Sequence, residues 1–148
     1  MDNKKTILVA DDDNGVNQLL VNALAQKFNV ESTYTGKDTL DVCTQLQPDL
    51  LLLDVNLGDI NGKEVCQTLK ADLGEQAPLI IFISADDGQD NIISCFENGA
   101  DDFIAKPFSP AQVVGKVEAL LKYDTLIDSL QSKSAELTSL VSTTMSQA

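Results

Sequence analysis

The sequence predicts an α/β protein: a parallel β-sheet with helices on both faces. Three observations predict it. Short apolar runs recur at a regular pitch, stretches with helical spacing lie between them, and glycine or proline marks several changes of period. With 148 residues, 43% of them hydrophobic, the chain can bury one compact core.

The elements follow in order. Residues 7–10 are short, unbroken and apolar, the pattern of a strand covered on both faces. Val16, Leu19, Leu20, Ala23 and Leu24 then form one helical stripe, with Asp13 or Asn14 as its N-cap. Residues 30–34 alternate and are rich in β-formers, which suits an edge strand. A helix over 37–46 leads to the third strand, a buried one at 50–53, and a helix over 62–72 to the fourth, also buried, at 79–83. The helix over 89–98 stops at Gly99, residues 102–105 make a weaker fifth strand, and Pro110 opens a helix over 110–121, where a missing N–H does no harm.

Charge narrows the function. Asp and Glu number 23 against 10 Lys and Arg, a formal charge of -13. Nucleic acid and anionic membrane bind Lys/Arg surfaces, so neither is expected as a direct partner; proteins and metal ions are. There is no His. That excludes Ser-His-Asp and Cys-His catalysis, imidazole zinc sites and a phosphohistidine of the chain's own. Cys43, Cys66 and Cys95 are odd in number and far apart, and read as small buried thiols within helices. No secretory leader or membrane-length apolar run is visible, so a cytoplasmic location is expected.

In such sheets ligands bind beyond the carboxyl ends of the strands, where strand order reverses. Asp11, Asp12 and Asp13 follow the first strand, Asp54 ends the third, Ser84 follows the fourth, and Lys106 and Pro107 follow the fifth. Convergence would put Asp11, Asp12, Asp54, Ser84 and Lys106 in one shallow pocket. Carboxylates crowded this way repel one another, and a single lysine does not balance them. Oxygen-only ligands point to a hard divalent cation, Mg2+ or Mn2+. The set then meets the needs of phosphoryl transfer. Asp54 is the nucleophile, and the metal, the Ser84 hydroxyl and the Lys106 ammonium each take a phosphoryl oxygen. Acids after strands can also merely cap helices and solvate loops; four matched strand ends outweigh that reading.

The ordered segments 7–12, 51–55, 59–62, 83–85 and 99–108 resemble the receiver domain of bacterial two-component response regulators, over about residues 4–122. The resemblance implies a flavodoxin-like (βα)5 fold with strand order 2-1-3-4-5, a receiver domain at 1–122 and a helical extension or linker at 123–148. It implies that Asp54 receives a phosphoryl group from a histidine kinase or histidine phosphotransfer protein. Asp12 would bind Mg2+ directly, Asp11 through water, and Asn56 would add its backbone carbonyl. Ser84 stands where the family's mobile hydroxyl stands, and Phe103 where its switching aromatic does. The fourth helix, fifth strand and fifth helix would form the responding face. Asn56 and Asp86 would flank the hydrolytic water and set the phosphoryl lifetime, and the Lys106–Pro107 bond would be cis. Such a chain is not an enzyme acting on others; it promotes its own phosphorylation and dephosphorylation. Two departures stand out: Phe103 lacks tyrosine's hydroxyl, and Gly58 replaces a common proline, which predicts a more flexible loop.

Other readings compete. Asp11 and Asp13 also resemble the Asp-x-Asp nucleophile motif of haloacid-dehalogenase-like phosphatases, with Asp11 attacking. That family's last acidic pair follows the lysine, whereas Asp101 and Asp102 precede it here. A calcium loop counted from Asp11 fails because Gly15 comes one position early. A receiver-like binding module that does not switch would have no use for Asp54, Ser84 and Lys106 together. Past residue 122, Leu120, Tyr123, Ile127, Leu130, Leu137 and Val141 follow spacings of three and four, with Ser134 interrupting. This predicts an amphipathic or coiled-coil helix that dimerises the chain or transmits its signal, although residues 138–144 are poor helix formers and favour a frayed linker. The output would be a downstream protein or a C-terminal output domain.

Overall fold

The structure, a computed structural model, describes the backbone of residues 4–147 and the side chains of residues 4–131 and 133. Strands and helices alternate: β1 (Thr6–Ala10), α1 (Asn14–Leu24), β2 (Asn29–Thr33), α2 (Gly36–Leu46), β3 (Leu50–Asp54), α3 (Gly62–Leu73), β4 (Leu79–Ser84), α4 (Gln89–Glu97), β5 (Asp102–Ala105) and α5 (Pro110–Gln147). All strand pairs are parallel, in the order β2-β1-β3-β4-β5. This is the flavodoxin-like order, with its reversal between β1 and β3. By compactness the chain divides into Met1–Val114 and Gly115–Ala148.

In the first unit, the unbroken apolar runs occupy the middle of the sheet because both their faces are covered. Leu8, Ala10, Leu51, Leu53, Ile80 and Phe82 form one buried cluster with Cys43 of α2, Val65, Cys66 and Leu69 of α3, and Cys95 of α4. The alternate positions Ile7, Val9, Leu50, Leu52 and Ile81 are just as inaccessible. Each such side chain contributes roughly 1.5–3 kcal/mol when fully buried. β2 is an edge strand, as predicted, but the adjacent Glu31 and Ser32 are both exposed, so its burial does not follow a strict alternation. The cysteines are buried free thiols, and burial pushes Cys43 up to about 12 and Cys66 to about 11.

Helix starts are set by side-chain caps. Asp13, rather than Asn14, caps α1: its Oδ1 accepts from the N–H of Gly15 at 2.8 Å and Val16 at 3.1 Å. Thr35 and Asn61 cap α2 and α3 in the same way. In the second unit, α5 stays helical through the unfavourable 138–144 stretch. Tyr123, Leu126 and Leu130 are more than half exposed. Leu137 and Val141 of the predicted stripe lie outside the described side chains.

The loop after β3 is shaped by two glycines. Gly58 sits at φ +88°, a conformation open to glycine but not to proline, whose ring holds φ near -65°. The residue therefore fits a left-handed turn, beyond any loosening of the loop. Gly62 opens α3 hard against β3, donating its N–H to the Val55 carbonyl at 2.7 Å. A Cβ there would collide with the Asp54 carbonyl oxygen and lie 3.0 Å from the Val55 Cα. Gly62→Ala should therefore lose roughly 1–3 kcal/mol in urea unfolding. Gly115→Ala, with nothing within 4 Å of the added carbon, should be neutral or stabilising; equal losses at the two sites would remove the steric account.

Candidate functional site

Parallel register brings the strand ends to one edge of the sheet. Ala10 lies opposite Leu53, Asp54 opposite Ile83, and Ser84 opposite Ala105. Asp11 therefore leaves β1 level with Asp54, and Lys106 follows β5 with its N–H donated to the Ser84 carbonyl at 2.8 Å. The Lys106–Pro107 bond is cis.

Asp11, Asp12, Asp54 and Lys106 come together. Asp11 is fully buried; its Oδ1 accepts from the Asp13 N–H at 2.9 Å, and its Oδ2 lies 3.1 Å from the Lys106 ammonium. That ion pair is close, yet Oδ2 has no hydrogen-bond donor in good alignment. Asp54 is 5% exposed; its Oδ1 accepts from the Asn56 N–H at 3.1 Å and its Oδ2 lies 3.4 Å from Lys106. Asp12 is exposed, and one oxygen from each of the three acids lies within 4.8 Å of the others.

Burial pushes the Asp54 carboxyl up to about 6, and the Asp11 carboxylate adds to the rise; the Asn56 N–H and Lys106 oppose it. Burial alone would lower Lys106, but the Asp11 and Asp54 carboxylates hold its ammonium above the ordinary value. One ammonium against three carboxylates leaves the cluster negative. A buried oxygen without a donor, an exposed acid beside it and an all-oxygen ligand set fit a hard divalent cation.

Of the remaining predicted residues, Asn56 joins the cluster through its N–H, while Ser84 ends β4, Asp86 follows it and Phe103 lies on β5. Ser84 is 3% exposed, and its hydroxyl oxygen accepts from the Asp86 N–H at 3.0 Å, with the Asn91 amide at 3.5 Å. Asp86 and Asn56 are exposed on the loops after β4 and β3. Phe103 is buried in the core cluster.

The 59–62 motif contained Asp59 and Gly62 without showing what they contact, and Asn17 escaped the sequence reading altogether. Gly62 is described above. Asp59 accepts from the Gly36 N–H at 2.7 Å and the Lys37 N–H at 3.1 Å, which ties the loop after β3 to the start of α2. These bonds hold its carboxyl below the usual range. Asn17 is buried on α1 and donates to the carbonyls of Asp11 and Thr33. Its only signal in the sequence is a polar residue at a position where helical spacing from Leu20 and Leu24 demands an apolar one.

Comparison with known proteins shows the family of the chain. The family model described as the response regulator receiver domain matches residues 7–118. The DNA-binding response regulator MtrA of Mycolicibacterium paratuberculosis is 37% identical over 120 residues, covering 80% of this chain and 52% of that protein. The transcriptional regulatory protein CreB of Escherichia coli matches with the same identity and coverage. The chain thus spans about half the length of these relatives. Among solved structures, the response regulator DrrB, a Thermotoga maritima OmpR/PhoB homologue, superposes with a TM-score of 0.75 at 28% identity, covering 82% of this chain and 54% of that one.

The raised Asp54 carboxyl has a consequence for stability. Its folded value of about 6 exceeds the ordinary 3.8, so the folded protein binds the proton more tightly and stability falls as pH rises through that window. Asp54→Asn should therefore be more stable than wild type at neutral pH in urea titrations, with the gap closing below the ordinary carboxylate value. A gap that ignores pH would show that ionised Asp54 is not destabilising.

Proposed function

The chain belongs to the response regulator receiver domain family and is a phosphoacceptor switch of the two-component type, and we propose that Asp54 is the residue phosphorylated. The observation that carries this is the placement of one ammonium, Lys106, within 3.4 Å of Asp54 and 3.1 Å of Asp11 at the strand-order reversal. Asp54 offers a buried carboxylate oxygen to the phosphorus of a phosphohistidine. A P–O bond forms as the P–N bond breaks, and the imidazole leaves with the donor. Asp11, Asp12, Asp54 and the Asn56 carbonyl would hold Mg2+, or Mn2+ in its stead. Bound there, the cation neutralises charge on the phosphoryl oxygens.

Lys106 pairs with a second phosphoryl oxygen. Ser84 donates its O–H to a third as its oxygen leaves the Asp86 N–H, and Phe103 of β5 responds. The two residues bias a pre-existing equilibrium at α4 and β5. Asn56 and Asp86 tune the hydrolysis by which the chain slowly dephosphorylates itself.

A histidine kinase or phosphotransfer protein supplies the histidine that the chain lacks. Its docking is supported by an apolar groove of about 370 Å³ beside the site, lined by Val16, Leu19, Ala85, Lys106, Pro107 and Phe108. The output is a downstream protein or an output domain joined after the receiver. The DNA-binding relatives favour a regulator of transcription, while the charge of -13 argues against direct nucleic-acid binding by this chain. A cytoplasmic location accords with the lack, among the described residues, of any helix long and apolar enough to cross a membrane.

Treatment with acetyl phosphate and Mg2+ should add one phosphoryl group by intact mass, and none to Asp54→Asn. An adduct that persists in the variant, or that forms equally well in EDTA, would refute the assignment. A second copy of the chain is a further partner, through the α5 stripe that includes Leu120, Tyr123, Ile127 and Leu130, of which Tyr123 and Leu130 are more than half exposed. Sedimentation should then show a dimer for the full chain and a monomer for residues 1–122; a dimer of unchanged affinity after truncation would rule the stripe out.

A further inference from the structure

Asn17 takes no part in the chemistry above, yet it holds the peptide that carries the acids. We propose that Asn17 is a positioning residue for the cation site, fixing Asp11 and Asp12 from behind; the proposal rests on the function just described. The side chain is 1% exposed, and its Nδ2 donates to the Asp11 carbonyl and to the Thr33 carbonyl, each at 3.0 Å. The Asp11 carbonyl belongs to the peptide that joins Asp11 to Asp12. Fixing that peptide plane sets the directions in which both carboxylates leave the backbone.

The other handles on Asp11 are also engaged. Its N–H donates to the Thr33 carbonyl at 3.2 Å, and its Oδ1 accepts from the Asp13 N–H at 2.9 Å. Backbone N–H, backbone carbonyl and one carboxylate oxygen are thus fixed by hydrogen bonds. Oδ2 alone, 3.1 Å from the Lys106 ammonium, is left to the site.

A buried amide has a desolvation cost that an apolar residue would avoid. Position 17 lies on the buried stripe with Leu20 and Leu24, where a leucine would serve packing better. What the amide adds is orientation: it joins the exits of β1 and β2 at the point from which the acid pair projects. Groups that orient metal ligands in this way typically change metal affinity by roughly 10–100-fold when removed.

A merely structural tie would behave differently, and Thr39 provides the comparison. Thr39 is fully buried, and its hydroxyl pairs with that of Thr33 at 2.7 Å, joining β2 to α2 without touching the acids. The test is calorimetric titration of the full chain with Mg2+, at a temperature where urea titrations show each variant folded. Asn17→Leu, of similar volume but without donors, should weaken Mg2+ binding by roughly tenfold or more. Thr39→Val should lose stability while keeping wild-type Mg2+ affinity. Should Asn17→Leu fail to fold, Asn17→Ser keeps a donor on a shorter arm and should show a smaller but clear loss of affinity. Wild-type affinity in a folded Asn17 variant, or an equal loss in Thr39→Val, overturns the proposal. Absence of Mg2+ binding by the wild-type protein would instead overturn the functional reading beneath it.

Discussion

The structure turns on one electrostatic constraint: two carboxylates, Asp11 and Asp54, buried beside a single ammonium from Lys106. Ions out of water are costly, and an isolated pair in a protein interior seldom recovers that cost. An arrangement with more buried acid than base is a poor way to stabilise a fold. It does create a place where a positive ion, or a group bearing one, is bound strongly. The surrounding sheet makes that concentration of charge tolerable. Its central strands β1, β3 and β4 are apolar to the last residue before the site, so the strain is confined to one edge.

The fold was legible because the apolar runs are continuous and the acids, the hydroxyl and the lysine each follow a run. Ile7 to Ala10 and Leu50 to Leu53 read as buried strands, and their parallel register then forces Asp11 and Asp54 together. What could not be read was anything that depends on a contact between distant backbones. Gly62 reads in the sequence as a helix start; only the approach of α3 to β3 makes a side chain there intolerable. Asp59 belongs to the 59–62 motif, but its partners lie 22 and 23 residues away and leave no mark there. The cap of α1 was narrowed to Asp13 or Asn14, since propensity cannot separate two good capping residues but hydrogen-bond geometry can.

The loops around the site are held more firmly than their polar composition suggests. Asp59 pins one to α2, while the side chain of Asn91 holds the Asp86 carbonyl at 2.7 Å on the other. Gly58 adds a left-handed turn between Asp54 and Asp59. Proline is usually credited with stiffening such a segment; here the Asp59 carboxylate ties the loop to α2, and Gly58 supplies a turn that proline's fixed φ forbids.

The engagement of the Ser84 hydroxyl with the Asp86 N–H bears on how sharply such a device can signal. On the proposed mechanism, the hydroxyl moves when the phosphoryl group arrives: it donates its O–H to a phosphoryl oxygen and loses the neutral bond it accepts from the Asp86 N–H. The difference between a neutral and a charge-assisted hydrogen bond is on the order of 1 kcal/mol, or about a fivefold change in population. A single exchange of that size gives low gain. The resting protein would spend an appreciable fraction of its time in the signalling form, and the phosphorylated protein an appreciable fraction out of it. Sharpness in the response then has to be built outside the receiver, by the partner that reads it or by the coupling of two copies.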